Sequence, residues 1–153
     1  MTASAESASH VDDDGSGQAW APMVYAQQIN VPYHYTAGRV EAAFLRGLAA
    51  RRILGATSDA GVLVPARTFA PDGSRTDALV EVADRGVVQG WTVHHHAGVA
   101  TIWGMIRLDG ADTDMLHVLD VAADKVAVGM RVVARWAAEP VTEITAIEAF
   151  VPE

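Results

Sequence analysis

The sequence contains no cysteine among its 153 residues, which excludes disulfide bonds and zinc sites built from thiolates. It also has no apolar run long enough to span a membrane, and its N-terminus lacks the basic-then-apolar pattern of a signal peptide. These absences favour a cytoplasmic protein. With 50% of its residues hydrophobic, a chain of this length buries one core without needing a disulfide or a metal.

The motifs of the common hydrolases and nucleotide-binding enzymes are also missing. The sequence has no Gly-x-Ser-x-Gly elbow, no His-Glu-x-x-His helix and no glycine-rich phosphate loop. Asp109, Asp112 and Asp114 share one turn, but without the spacing and closing glutamate of an EF-hand. We therefore predict that this chain supplies no catalytic residue.

The run His94-His95-His96 is the one metal-ligand pattern that remains. On a strand, His94 and His96 share a face, and imidazole pairs of this kind bind zinc. A site needs further ligands, and the next strand supplies no carboxylate before Asp109. We predict no bound metal, and a stand-alone metal-dependent enzyme using His94 and His96 stays as an alternative.

Charge is unevenly distributed along this chain, whose formal net charge is -8. Residues 39–85 hold seven arginines against six acids, whereas residues 86–153 hold four basic and nine acidic side chains. The basic region fits a compact anionic ligand or an acidic partner surface, and a solvated helix face is the alternative. A barrel that binds single-stranded nucleic acid needs a basic groove with exposed aromatics, so the acidic second half disfavours that function.

The hydrophobic pattern divides the chain into four parts. Residues 1–22 are rich in Ser, Ala and Asp and predict a disordered acidic tail. Residues 23–50 predict an extended arm followed by a helix over 38–50. Residues 51–77 predict a short hairpin with tight turns. Residues 78–153 predict five strands interrupted before the fourth, the pattern of a small closed OB-fold barrel; the fold class is therefore mainly β.

Alternation along the barrel strands predicts an outer surface suited to a partner protein. If segments 86–96 and 99–108 pair as a hairpin, Val87, Trp91 and Val93 face inward and a Trp, a Met and two His lie together outside. Such a cluster is typical of an interface, with cover by the helix or the arm of the same chain as the alternative. The predicted partner-contact residues are Tyr33, Tyr35, Phe69, His94, His96, Trp103 and Met105.

The order of these parts resembles the thiolase-associated zinc-ribbon/OB-fold family, domain of unknown function 35. In that family a helix precedes a rubredoxin-like ribbon whose two knuckles carry cysteines, and a five-stranded barrel follows. Here the knuckles read Thr57-Ser58-Asp59-Ala60-Gly61 and Ala70-Pro71-Asp72-Gly73. The ligand positions hold Thr57, Ala60, Ala70 and Gly73, while the framework positions keep Gly61, Pro65, Arg67, Phe69 and Pro71.

This resemblance covers residues 36–151 and includes the first barrel strand, where Asp84-Arg85-Gly86-Val87-Val88 and Trp91-Thr92-Val93-His94 are similar to the family pattern. It implies a ribbon that has lost all four zinc ligands and kept its turns. Without the metal, the hairpin is expected to be held by packing of Val62, Val64 and Phe69.

Members of this family accompany thiolase-like enzymes, among them aldolases that shorten the acyl side chains of steroid-CoA esters in actinobacteria. The resemblance implies a non-catalytic subunit that docks on a thiolase-like or lipid-transfer-protein-like enzyme in a cytoplasmic hetero-oligomer and supports acyl-CoA binding. It implies no cofactor bound by this chain alone, a CoA thioester shared with the partner, and no contact with nucleic acid or membrane. The arginines expected to meet CoA phosphates or an acidic partner surface are Arg46, Arg51, Arg52 and Arg67.

Overall fold

The computed structural model describes residues 30–32, 36–76 and 78–153. The predicted tail and most of the predicted arm, with Tyr33 and Tyr35, lie outside the described residues. From residue 36 onward the chain forms one unit. Its elements are helix α1 (Arg39–Ala49), strands β1 (Ile53–Ser58), β2 (Gly61–Leu63), β3 (Leu79–Val82), β4 (Arg85–His96), β5 (Val99–Leu108), β6 (Asp114–Leu119), β7 (Arg131–Trp136), a 3-10 turn (Ile144–Ala146) and β8 (Ile147–Pro152).

Helix α1 forms where the sequence predicts it. Its apolar residues recur at helical spacing, and Phe44 and Leu48 are buried in the core as the helix packs against β1. The Glu41 carboxylate accepts hydrogen bonds from the Thr68 N–H at 2.8 Å and the Thr68 hydroxyl at 3.0 Å. The pKa of Glu41 is lowered, most by a hydrogen bond from the main-chain N–H of Glu41 itself and next by the hydrogen bond from the Thr68 N–H. The ionised carboxylate therefore ties the helix to the ribbon.

Across the described ranges, no helix has the length and apolarity that a membrane crossing requires.

The ribbon is a three-stranded antiparallel sheet in the order β2-β1-β3. The first knuckle is the tight turn between β1 and β2. At Thr57, one of the former ligand positions, the main-chain N–H donates to the Ala78 carbonyl at 2.8 Å and the hydroxyl accepts from the Ala78 N–H at 3.0 Å. These bonds align β3 with β1. β3 begins one residue after the predicted boundary at residue 78, and it pairs with β1 in the ribbon sheet.

The five remaining strands close into a barrel in the order β4-β5-β6-β8-β7, which confirms the predicted OB-type architecture. Ile106, Ile147 and Phe150 are fully buried inside it. The N-terminal end of β4 pairs with β7 and closes the barrel, while the rest of β4 pairs only with β5.

The predicted inward face of β4 is partly wrong. The register with β5 shifts between Val88 and Gly90, and this bulge changes which side chains face the core. Val88 is fully buried instead of Val87. Trp91 is 41% exposed, because at this point β4 extends past the strand that closes the barrel. Val93 packs against the core as predicted.

The β5–β6 loop holds the ribbon on the barrel. Asp112 accepts a hydrogen bond from the Val62 N–H at 2.8 Å and donates its own N–H to the Val62 carbonyl at 2.8 Å. The Thr113 hydroxyl accepts from the Val64 N–H at 2.8 Å and donates to the Val64 carbonyl at 3.1 Å. Val64 is buried as expected, but Phe69 is 53% exposed and does not hold the hairpin by packing. Hydrogen bonds from the β5–β6 loop therefore hold this hairpin, which has no cysteine ligands.

Candidate docking face

An apolar surface covers the outside of strands β4, β5 and β6. The strand register places Thr92 opposite Trp103, and Met105 opposite Leu116. Side chains that are directly opposite on neighbouring strands share a face of the sheet. His94 follows on the same side of β4, since alternate residues of a strand point to one face. The outer apolar face is defined here as Thr92, His94, Trp103, Met105 and Leu116.

This outer apolar face is accessible and contains a shallow groove of about 340 Å³ lined by Thr92, His94, Trp103 and Leu116. Met105 is 40% exposed and Leu116 is 56% exposed. Helix α1 packs on β1 and on the 3-10 turn, so the helix does not cover this face. Most of the arm, the other source of internal cover in the alternative to an interface, lies outside the described residues. The structure brings the predicted Trp103 and His94 into one groove.

Sequence reasoning missed Leu116. The signal was available, because Leu116 lies between the buried Met115 and His117 and therefore alternates to the outside of β6. Its place beside Met105 depends on the β5–β6 register, which the sequence pattern does not specify.

The two histidines of the alternative metal-site interpretation, His94 and His96, lie at the edge of this face. The rings of His94 and His96 are stacked, with centroids 6.2 Å apart and planes at 12°, and both side chains are exposed. Within residues 30–32, 36–76 and 78–153, no three His, Cys, Asp or Glu side chains converge in a geometry that would hold a metal ion. A metal here would have two imidazoles from this part of the chain and no third ligand from it.

The adjoining surface of β7 and β8 is polar by contrast. Arg131 donates to both carboxylate oxygens of Asp109 at 2.7 Å and pairs with Glu153 at 3.0 Å. The hydrogen bond from Arg131 lowers the pKa of Asp109, and the Asp109 and Glu153 carboxylates raise the pKa of Arg131. Arg135 pairs with Glu148 at 2.9 Å in the same way. These side chains satisfy one another in solvent, so the β7–β8 surface lacks the exposed apolar area of the outer apolar face.

The second knuckle, residues 68–76, presents an exposed aromatic ring. Asp72 accepts hydrogen bonds from the Ser74 hydroxyl at 2.7 Å and the Ser74 N–H at 2.9 Å, and these lower the pKa of Asp72. Phe69 forms an antiparallel bridge with Arg75, whose guanidinium carbon lies 5.5 Å from the centre of the Phe69 ring. The knuckle therefore keeps a defined turn without zinc and holds Phe69 outward.

The four arginines predicted to meet CoA phosphates lie in different surroundings. Arg46 lines a groove of about 310 Å³ together with Arg39; the other lining residues are Val40, Ala43, Thr76, Ala78 and Leu79. Arg67 lines a separate cavity of about 110 Å³ that also includes Asp114.

The other two arginines make contacts of their own. The Arg52 Nε lies 2.7 Å from a carboxylate oxygen of Glu81, and an Arg51 Nη donates to the Ala137 carbonyl at 3.3 Å. Arg46 thus shares its groove with Arg39, a residue absent from the predicted set. Both face the same groove because they lie seven residues, about two turns, apart on one side of α1.

His117 is a buried residue of the barrel, 6% exposed. Its Nδ1 accepts a hydrogen bond from the Val118 N–H at 2.9 Å, its Nε2 lies 3.4 Å from the Ile144 carbonyl, and its ring meets Phe150 edge-on. Burial lowers the pKa of His117. A neutral imidazole satisfies both contacts, so the residue serves packing.

A helix, a ribbon sheet without cysteine ligands and a closed barrel with an apolar outer face define a ribbon/OB-fold architecture. Residues 79–137 match the family model described as the C-terminal OB-fold domain of ChsH2. This match covers the barrel and supports the resemblance to domain of unknown function 35. The chain has no cysteine at any of the zinc-ligand positions of that family.

Solved structures agree on the fold. A chain of the structure described as "Ltp2-ChsH2(DUF35) aldolase" has a TM-score of 0.58 at 24% identity, covering 78% of this chain and 98% of that chain. A protein of unknown function from the DUF35 family of Sulfolobus solfataricus has a TM-score of 0.54 at 16% identity, covering 72% of this chain and 83% of that chain. At identities this low, the two comparisons show a shared fold alone. No curated protein matches the chain.

Proposed function

We propose that this protein is a non-catalytic accessory subunit that docks through its outer apolar face on a thiolase-like or lipid-transfer-protein-like enzyme. The outer apolar face carries the proposal, since Met105 and Leu116 remain exposed beside Trp103 while the adjoining β7–β8 surface is covered by ion pairs. Exposed apolar area of this kind marks interfaces. Further support is the fold shared with a chain of a structure described as an Ltp2-ChsH2(DUF35) aldolase.

The chemistry is proposed to come from the partner. In the described part of the chain, Asp109 is engaged by Arg131 and His117 is buried and neutral. Neither is free to transfer a proton to a bound substrate. The accessory subunit would order the enzyme and complete its substrate site, and the proposed reaction is cleavage of an acyl-CoA, with the steroid side-chain aldolases as the proposed branch.

The α1 groove is the proposed contact for the CoA portion. Arg39 and Arg46 both line this groove with Val40, Ala43 and Leu79, and guanidinium binds phosphate through two parallel hydrogen bonds. Because the groove is open, the partner would cover the thioester end of the substrate. This assignment replaces the dispersed set of four arginines by one pair in one groove.

Affinity purification of the tagged protein from its native host, followed by mass spectrometry, tests the proposal. We expect a thiolase-fold enzyme in near-stoichiometric amount. The variant Leu116→Glu should lose it, because a carboxylate on the face cannot be buried unpaired. The matched control Val128→Glu, at a site 65% exposed outside the face, should retain it. Recovery of the enzyme by Leu116→Glu at the wild-type level would overturn the docking face.

A further inference from the structure

The second knuckle lies at one end of the outer apolar face. Along the β5–β6 register, the pair Met105 and Leu116 is followed by the ion pair of Arg107 with Asp114. Asp114 in turn lines the same cavity as Arg67 and Pro71 of the knuckle region. The surface therefore runs from Trp103 past Met105 and Leu116 to Asp114, and there it reaches the ribbon.

The knuckle holds its aromatic residue in a fixed position. The Ala70 N–H donates to the Ser74 carbonyl at 2.9 Å, and the Thr76 N–H donates to the Thr68 carbonyl at 3.2 Å. These bonds and the Asp72 turn define the main chain on either side of Phe69, so the loop loses little freedom when a partner binds it. A preorganised exposed aromatic is a favourable interface anchor, because the ordering cost of association is reduced.

Charge next to the ring indicates the chemistry of the surface that would receive it. Arg75 lies over Phe69, and Arg67 is exposed on the same hairpin. The protein as a whole is acidic, with a net charge of -8, so this basic site is set apart from most of the molecule. Arginine pairs with carboxylates in a planar, bidentate geometry.

We propose that the second knuckle is an anchor of the docking surface: Phe69 enters an apolar pocket of the partner enzyme, and Arg67 and Arg75 pair with carboxylates at the rim of that pocket. The inference rests on the proposed function, since the partner is the same enzyme subunit. It also gives the ribbon without cysteine ligands a task, because the turn of the second knuckle presents Phe69 outward beside Arg75.

Photocrosslinking separates this inference from the proposed function. Full-length protein carrying p-benzoylphenylalanine in place of Phe69, Met105 or Val128 is irradiated in the native host, and the linked proteins are identified by mass spectrometry. We expect the probes at Phe69 and Met105 to link to one thiolase-fold protein, with Asp or Glu beside the segment linked from Phe69, and the Val128 probe to link to nothing in common with them.

The outcomes differ for the two ideas. Linking from Met105 alone would leave the docking function standing and refute the knuckle anchor. Linking from Phe69 alone would refute the outer apolar face and with it the composite surface, and linking from neither would refute both. With the linked enzyme in recombinant form, Phe69→Ala and Arg75→Glu should each weaken binding about 10- to 100-fold, the range of interface anchors. The charge control Lys125→Glu should bind as wild type, and equal loss in that control would attribute the effect to net charge.

Discussion

Replacing Thr113 by Val tests the idea that hydrogen bonds from the barrel loop hold the ligand-free ribbon. The two side chains have nearly the same shape, so the substitution removes the hydroxyl and little else. The Thr113 hydroxyl accepts from the Val64 N–H at 2.8 Å and donates to the Val64 carbonyl at 3.1 Å. Val64 is 1% exposed, so water cannot replace the hydroxyl without opening the hairpin.

An unpaired buried main-chain group costs about 1–3 kcal/mol in the free energy of unfolding. For a chain of this size, 1 kcal/mol corresponds to roughly 2–4 °C in Tm, so we expect Tm to fall by about 2–12 °C in a thermal melt followed by circular dichroism. Thr142→Val, at an exposed site in the β7–β8 connection, is the matched control and should leave Tm unchanged. A Thr113→Val variant that melts with the control would refute the view that the loop replaces zinc.

Three further predictions concern Gly61, His117 and Arg46. Gly61→Ala should lower Tm more than Gly90→Ala does. Gly61 has φ of 107°, and an added Cβ would lie 2.3 Å from the Asp112 carboxylate, whereas no atom lies within 4 Å of a Cβ at Gly90. Equal Tm values for the two variants would contradict this. Burial lowers the pKa of His117 below its ordinary 6.5. Its contribution to stability should therefore be complete above pH 6.5 and be lost as the pH falls towards the folded-state pKa, because the unfolded chain binds the proton first. Chemical denaturation should show a steeper loss of stability in acid for wild type than for His117→Gln, and parallel curves would count against this reasoning. Arg46→Glu should weaken CoA binding to the assembled complex about tenfold or more, whereas Lys125→Glu should not, as measured by calorimetry; identical affinities would remove CoA from the α1 groove.

Local patterns in the sequence predicted most of the elements and part of the docking face. The helix follows from apolar spacing, and the outward position of Trp103 and Met105 follows from alternation along one strand. The absence of zinc-ligand cysteines follows directly from the residue types at the knuckles. Each of these inferences concerns residues that are neighbours in the chain, where steric period alone decides which side a residue faces.

The features that the sequence pattern did not specify are relations between distant segments. The predicted inward face of β4 is partly wrong because the bulge after Val88 depends on how β4 pairs with β5. β3 pairs with β1 beside the contact of Ala78 with Thr57, and Arg46 shares a groove with Arg39 while Arg52 pairs with Glu81. None of these partners is visible in the periodicity of the segment that contains it.

Composition and short periods alone specify a cysteine-free helix, a knuckled hairpin and a barrel with aromatic and sulfur side chains outside, since they set element type and facing. How the ribbon is held without cysteine ligands follows from contacts that exist only in the folded chain. Val62 bonds to Asp112 and Val64 to Thr113, 50 and 49 residues apart. Contacts across such separations form only when the whole chain has folded, because each requires two elements to be brought into register by the packing of the rest.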